Sequence, residues 1–400
     1  MTTRHRGVPG TIWALGFVSM FTDISSEMIH SLLPVFLVTS LGASPALVGL
    51  IEGLAEATAS ITKVFSGWLS DRLGRRKLLT VLGYGLAVIT KPIFPLAVTP
   101  YEVLAARFLD RIGKGVRDAP RDALVADVTP EDLRGASYGL RQSLDTIGAF
   151  AGPLAAVGLM AAFNDNMRTV FSFAIIPASI GVAVLVLAVK EPAGSAQPHD
   201  AKSPISWSDV RSIGTPFWIA VAVGVLFTMA RFSEAFLVLR GASAGIPLML
   251  VPFVMIVMNV VYSIVAAPVG SLSDTLGRKP LLASGIAVLI VADLVLALLG
   301  NIAGVLIGVA LWGLHLGLTQ GLLAALVADT APARVRGTAF GLFNLATGLT
   351  MLAASILAGA LWSARGASLT FLTGGGFALV ALLGVLALLK ERAVPGEGAT

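Results

Sequence analysis

The feature that most constrains this chain is a succession of about twelve long apolar segments separated by short polar stretches. A hydrocarbon core of roughly 30 Å is crossed by about 20 mostly apolar residues of helix. The pattern therefore predicts an all-α membrane protein with about twelve transmembrane helices. The predicted spans are 12–38, 46–69, 78–98, 101–118, 137–162, 168–189, 215–239, 247–271, 280–299, 302–325, 338–363 and 367–389.

Composition supports a membrane location and limits the chemistry. Hydrophobic residues make up 56% of the chain and charged residues 13%, whereas an ordinary soluble domain is roughly 25% charged. The net charge of +5 comes from short clusters of Lys and Arg between apolar segments, so we expect lipid rather than nucleic acid as a partner. The chain has no Cys and no H-E-x-x-H motif, so we expect no enzymatic activity and no cofactor.

One loop motif occurs twice, as GWLSDRLGRRK at 67–77 and as GSLSDTLGRKP at 270–280. Its glycines permit close helix approach and a tight turn, its aspartate can accept hydrogen bonds from a facing helix end, and its cations can bind anionic headgroups. We interpret both copies as gates that open and close one side of the protein. The gating residues are Gly67, Asp71, Arg72, Gly74, Arg75 and Arg76 in the first copy and Gly270, Asp274, Gly277 and Arg278 in the second.

A second repeat indicates that the whole chain is duplicated. The sequence ALVAD at 123–127 returns at 325–329, so Asp127 and Asp329 are 202 positions apart, while Asp71 and Asp274 are 203 apart. Two matches at nearly one offset predict two pseudo-symmetric six-helix bundles related by an axis along the membrane normal. We place the bundles at 1–189 and 213–400, joined by a polar linker at 190–212.

Lys and Arg fall mainly on one side of the predicted topology, the side that contains both termini and the linker. Because cations in short loops are retained on the cytoplasmic side, both termini are predicted to be cytoplasmic. The first apolar segment is longer than a signal-peptide core and is interpreted as a retained span.

Charged side chains within the predicted spans are the candidate functional residues, because a charge at a helix centre costs at least about 2.5 kcal/mol on insertion scales. Such residues are normally paired or line a wet cavity. The candidates for proton coupling and substrate contact are Asp23, Glu27, Glu56, Arg107, Asp110, Arg111, Arg141, Asp145, Arg231 and Glu234.

Asp23, Glu27 and His30 share one face of the first helix by their spacing. That face is either a proton or cation site, or a pair of carboxylates that bind permanently to cations of the fourth helix. We interpret His30 as a packed or interfacial histidine. No metal site is predicted, since one His beside two carboxylates is a thin ligand set.

Two further pairs, Arg141 with Asp145 and Arg231 with Glu234, have helical spacing and could pair locally or contact substrate. Asp293 stands alone in its span and receives no role.

These features together resemble the major facilitator superfamily of transporters. The twin loops carry most of the resemblance, RFLDRIGKG at 107–115 is similar to the fourth-helix motif of that family, and Gly148, Gly152 and Pro153 match its antiporter motif on the fifth helix. The chain departs from the fourth-helix pattern at Asp110, Arg111 and Lys114. The segments 21–30 and 110–122 also resemble a bacterial subgroup that includes drug/proton antiporter-like and magnetosome-associated members.

The resemblance implies a monomeric secondary transporter in the bacterial inner membrane that works by alternating access. It associates Arg107 with proton coupling. Charge in the first half and apolar residues at the equivalent positions of the second half favour proton-coupled export of a small amphipathic compound or drug. Transport of a metal ion such as iron, or of an anionic metabolite, is the alternative, and a non-transporting membrane sensor is a remote one. The expected partners are a small-molecule substrate, protons and membrane lipid.

Overall fold

The computed structural model describes residues 8–191, 210, 212–276, 278–332 and 335–388, and within these ranges every regular element is helical. By packing, the chain divides into two compact units. The first unit contains residues 1–30 and 58–203, and the second contains residues 31–57 and 204–400. The predicted repeat boundary at 190–212 stays a prediction, and most of that linker lies outside the described residues.

Seven helices and part of an eighth form the first unit. They are α1 Gly10–His30, the C-terminal part of α3 Pro45–Leu73, α4 Arg76–Thr90, α5 Ile93–Leu96, α6 Pro100–Val128, α7 Arg134–Ala162, α8 Met167–Phe173 and α9 Ile175–Ala188. Helix α1 packs on α7 and α9, and α4 packs on α6 and α9. This arrangement brings the charged face of α6 and the two candidate carboxylates of α1 into one unit.

The second unit contains the N-terminal part of α3 and eight further helices. They are α2 Leu33–Thr39, α10 Thr215–Ala230, α11 Ala235–Ser243, α12 Phe253–Leu276, α13 Arg278–Leu298, α14 Ile302–Thr330, α15 Arg336–Arg365 and α16 Ala367–Leu388. Helix α13 packs on α14 and α16, α12 packs on α14, and α10 packs on α15 and α16.

Each predicted span corresponds to one helix or to two consecutive helices. Nine described segments are long and apolar enough to cross a membrane by length and composition. Helices α1, α3 and α6 are outside that set, and they carry most of the candidate charged residues. The prediction of an all-α membrane fold is confirmed.

Several spans are interrupted, which the apolar pattern did not predict. Pro34 lies at the start of α2 and Pro92 lies between α4 and α5, and proline removes a backbone donor and clashes with the preceding turn. The seventh predicted span, 215–239, corresponds to the candidate membrane span Thr215–Ser243, within which residues 231–234 are not helical.

Helix α6 begins where its sequence supports a helix start. Thr99 accepts a hydrogen bond from the backbone N–H of Glu102 while the Glu102 side chain accepts from the Thr99 backbone, and Pro100 occupies the first helical position. This capping box fixes the beginning of a 29-residue helix that carries Arg107, Arg111 and Arg117.

Candidate functional site

Glycines let the helices of the first unit approach closely around α6. A methyl group at Gly113 would lie 2.7 Å from the carbonyl oxygen of Gly83 on α4, and one at Gly115 would lie 2.5 Å from the Thr62 side chain on α3. Both glycines belong to the fourth-helix motif. Their absent side chains therefore allow α6 to lie against α4 on one face and α3 on another.

The charged face of α6 is largely buried. Arg107, Asp110, Arg111 and Arg117 are all less than a tenth exposed. The Arg117 guanidinium lies 4.4 Å from the ring centre of Tyr84, where a cation–π contact compensates for lost water.

Asp110 is an ion-pair partner of Lys91, a residue that the sequence did not single out as a site residue. The Lys91 ammonium lies 3.2 Å from the Asp110 carboxylate and also 3.2 Å from the hydroxyl of Ser26. Lys91 occupies the interruption between α4 and α5 and is 2% exposed. The pair neutralises two charges inside the first unit and thereby gives Asp110 a structural role.

Arg107 lies against His30 of α1. The Arg107 Nη2 atom is 3.1 Å from His30 Nδ1. Because a guanidinium only donates, His30 Nδ1 must be the acceptor. In this contact the histidine is therefore neutral and carries its proton on Nε2. The contact joins α1 to α6 and uses the lone pair that a metal would need.

The carboxylate of Asp23 lies in a charged environment without a fixed partner. It has electrostatic interactions with Asp145 of α7 and with Lys114, Arg117 and Arg121 of α6. Among the described residues, no hydrogen bond or ion pair of 4.0 Å or less is present at its side chain. Asp23 therefore combines a partly buried location with the lack of a fixed hydrogen-bond or ion-pair partner among the described residues.

Asp145 and Arg141 form the local pair that their spacing on α7 predicts. Arg141 Nη1 lies 2.7 Å from Asp145 Oδ2, and Arg141 Nη2 lies 4.0 Å from Asp122. Arg121 extends the network, since it lies 3.1 Å from Asp122 and 3.3 Å from the hydroxyl of Ser19 on α1. The network connects α1, α6 and α7.

The antiporter-like motif contacts α1 at the Cβ atoms of the two candidate acidic residues. A methyl group at Gly148 would lie 2.9 Å from Asp23 Cβ, and one at Gly152 would lie 2.7 Å from Glu27 Cβ. Pro153 follows inside α7, where it removes a backbone donor. Any sliding of α7 along α1 must therefore change the surroundings of both carboxylates.

Three of the predicted coupling residues, Glu56, Arg231 and Glu234, belong to the second unit. Glu56 is in the part of α3 that packs with the second unit. Arg231 and Glu234 are in the interruption between α10 and α11, so the helical spacing predicted for them is wrong. The Arg231 guanidinium lies 5.5 Å from the ring centre of Phe227 and interacts electrostatically with Glu234. Arg111, on the buried face of α6, also has interactions within the structure.

In the first gating loop, Gly74 has a positive φ of 62°, which explains why glycine closes the turn between α3 and α4. Gly67 faces Ala119 of α6, Arg72 lies over Trp68, and Arg75 is the residue before α4.

The two repeated motifs contact each other in each unit. In the first unit Arg76 lies 3.5 Å from Asp71 and 3.0 Å from Asp127. In the second unit Arg278 forms an ion pair with Asp329. Asp127 and Asp329 were not predicted as site residues, although the second repeat signalled them. By the motif alignment Arg278 corresponds to Arg75, so the two arginines differ by one position.

Three residues of the second gating loop cannot be placed in the same detail. Gly277 lies outside the described residues. Gly270 and Asp274 lie in α12, but the surroundings of both residues are outside the described part of the structure.

Comparison with known proteins agrees with this architecture. The family model for the Major Facilitator Superfamily matches residues 15–349 and again 241–399. An uncharacterised MFS-type transporter of Methanocaldococcus jannaschii is 31% identical over 384 residues, which cover 94% of each chain. A gentisate transporter of Corynebacterium glutamicum is 28% identical, covering 87% of this chain and 80% of that protein.

Among solved structures, a peptide transporter in complex with sulfate aligns with a TM-score of 0.81 at 16% identity, covering 96% of this chain and 95% of that one. At this identity the likeness concerns the fold alone.

Proposed function

The chain belongs to the Major Facilitator Superfamily and is a membrane transporter of that type, and we propose that it exports a small amphipathic compound in exchange for protons. The observation that carries this proposal is the contact of Gly148 and Gly152 on α7 with α1 at Asp23 and Glu27. The antiporter-like motif contacts the only two acidic residues of α1. A change in the protonation of these residues would therefore alter the contact between α1 and α7.

Asp23 is the proposed coupling carboxylate. It faces both a carboxylate, Asp145, and cations of α6, so adding or removing one proton changes the balance of attraction across the contact of α1 with α6 and α7. A conformational equilibrium shifts only by the difference in proton affinity between its states. A carboxylate without a fixed partner is better suited to that task than Asp110, which is paired with Lys91.

The proposed cycle is alternating access of two repeats around a central substrate. We propose that the duplicated loops act as gates, with the Arg76 and Arg278 ion pairs stabilising one gate position in each unit. These pairs are partly exposed, so each is worth only about 0.2–1 kcal/mol and can break during each cycle.

A second candidate substrate class is an organic anion. Arg107 and Arg111 are buried cations of α6, and a gentisate transporter is among the relatives. The metal alternative has less support, because His30 Nδ1 accepts from Arg107 and no group of three or more His, Asp or Glu side chains in the described chain could hold a metal ion.

The test is proton movement across sealed proteoliposomes to which cationic amphipathic drugs, organic anions or divalent metals are added in turn. We expect a cationic amphipathic compound to drive proton movement in wild type, at least tenfold less in Asp23→Asn, and at the wild-type rate in Asp165→Asn. Asp165 is an exposed residue of the turn after α7 and is the matched control.

Each other outcome selects an alternative. Proton movement that is driven by organic anions and lost in Arg107→Gln favours the anion candidate. Movement of a divalent metal without any response to drugs favours the metal candidate. A protein that binds a compound but moves neither it nor protons contradicts transport of that compound.

A further inference from the structure

Asp293, in the C-terminal half of α13, is an acidic residue that has no role in the proposed transport site. Its side chain is fully buried, and neither carboxyl oxygen has a hydrogen-bond partner within the described structure. An ionised carboxylate without a partner in apolar surroundings is strongly destabilised, and such a group normally becomes neutral or binds a cation. The Asp293 carboxyl group therefore requires a bound proton or a bound cation.

At Gly374 the Asp293 carboxyl group lies beside an aromatic ring and one backbone carbonyl group. A methyl group at Gly374 of α16 would lie 2.9 Å from Asp293 Oδ2, 2.9 Å from Phe232 Cε1 and 3.4 Å from the carbonyl oxygen of Ala230. Asp293 Oδ2 and that carbonyl oxygen thus border the same glycine. The neighbouring Gly375 is also close, since a methyl group there would lie 3.9 Å from Oδ2.

Ala230 is the last residue of α10, and the helix is interrupted directly after it. The last four carbonyl groups of a helix have no regular intrahelical donor. At the end of α10 the Thr228 carbonyl accepts from the Arg231 N–H, whereas the Ala230 carbonyl accepts no hydrogen bond within the described structure. The interruption is a packed feature. The ring centre of Phe232 lies 5.7 Å from that of Trp312 and 5.5 Å from that of Phe371. The backbone N–H of Ser233 donates to the Ser355 hydroxyl at 3.2 Å.

No described cation is placed to neutralise Asp293. The titratable side chains on or near the packed elements include His315 and Asp329 on α14, Tyr262 on α12, Arg231 and Glu234 in the interruption, and Arg240 on α11. The Arg240 guanidinium is bonded elsewhere, since its Nε atom donates to the Leu296 carbonyl of α13 at 2.8 Å. None of them forms an ion pair or hydrogen bond with Asp293, and α16 carries no titratable side chain over its described length. Within the part of the chain that the structure describes, no side chain supplies a positive charge to Asp293.

We propose that Asp293 is a proton-binding site of the second unit, held as a neutral carboxylic acid whose O–H is donated to a free carbonyl group at the end of α10. A proton fits the surroundings better than a metal ion. A hard cation takes roughly six or more oxygen ligands, whereas the described atoms nearest to a methyl group at Gly374 supply only Asp293 Oδ2 and one backbone carbonyl oxygen beside an aromatic carbon. The proposed hydrogen bond links α13 to the interrupted seventh span, beside Gly374 of α16.

The test is infrared spectroscopy of the purified full-length protein at neutral pH without substrate, so its result is independent of coupling at Asp23. The difference spectrum between wild type and Asp293→Asn should show the loss of one carboxylic-acid C=O band per molecule, and that band should shift on transfer to D2O. Asp165→Asn, at an exposed turn, should instead remove a carboxylate band. Loss of a carboxylate band in Asp293→Asn would overturn the proposal.

Two further measurements protect the test against a variant that does not fold. Gly375→Ala adds a methyl group at an ordinary contact distance and should move the same carboxylic-acid band without reducing its intensity. A band unchanged in both variants assigns the proton to another residue and overturns the proposal. The unfolding temperature of wild type should be the same in NaCl, KCl, CaCl2 and choline chloride of equal ionic strength, and stabilisation by one metal cation would assign the site to that cation.

Discussion

Lys91 and Asp110 differ from the other charged residues of the first unit, because each is almost completely buried and each neutralises the other. Their side chains are 2% and 9% exposed, and the ammonium lies 3.2 Å from the carboxylate. A pair of this kind is costly to break from one side, because removal of one partner leaves an uncompensated charge. By contrast, Asp23 has no partner of this kind, so the two acidic residues have different tasks.

Lys91→Met tests this distinction. We expect a loss of about 3–5 kcal/mol in the free energy of unfolding, since Asp110 would be left charged and buried. The double variant Lys91→Met/Asp110→Asn should recover most of that loss because no charge remains. Unfolding in detergent by denaturant measures both variants. A single variant as stable as wild type would show that the pair is not a structural element.

At the scale of elements, the contact between α1 and α7 depends on glycine. Gly148 and Gly152 allow α7 to lie against the backbone of α1 at Met20 and Ile24. Small residues at such positions let membrane helices pack closely, and this packing replaces the hydrophobic effect that is absent within lipid. The same two glycines set the distance between α7 and the candidate carboxylates.

Gly152→Ala is expected to disturb this contact. Its methyl group would lie 2.7 Å from Glu27 Cβ and 2.8 Å from the carbonyl oxygen of Ile24, and overpacking of this kind costs about 1–3 kcal/mol. Gly158→Ala is the matched control on the same helix, since a methyl group there meets no atom within 4 Å.

Thermal unfolding and proton-driven transport should both be measured for the two alanine variants. Gly152→Ala should lose stability and most of its transport rate, while Gly158→Ala should keep both. Equal thermal stability and equal transport rates in the two variants would show that neither property depends on the close contact between α1 and α7.

At the scale of the whole molecule, the order and positions of the spans were predictable because lipid requires long apolar helices. The duplication stays a prediction from two motifs at offsets of 202 and 203. The contact between those motifs, as Arg76 with Asp127 and Arg278 with Asp329, was signalled by the repeat but required the fold to be seen.

The interruption at 231–234 was not predictable, because no proline marks it. It is stabilised by Phe232 and Ser233 through residues of α14, α15 and α16 that lie far away in sequence. The pairing of Lys91 with Asp110 was also missed, since it depends on the turn between α4 and α5 that directs Lys91 toward α6. Long-range packing of this kind leaves no periodic signal in a single sequence.

The most direct measurement of the central claim compares two transport modes of Asp23→Asn in proteoliposomes, using the compound that drives proton movement in wild type. One mode is accumulation driven by a pH gradient, and the other is exchange of labelled for unlabelled compound without a gradient. The account predicts loss of the first mode and retention of exchange within about twofold, because exchange needs no proton release. Gradient-driven accumulation at the wild-type rate in Asp23→Asn would contradict the account.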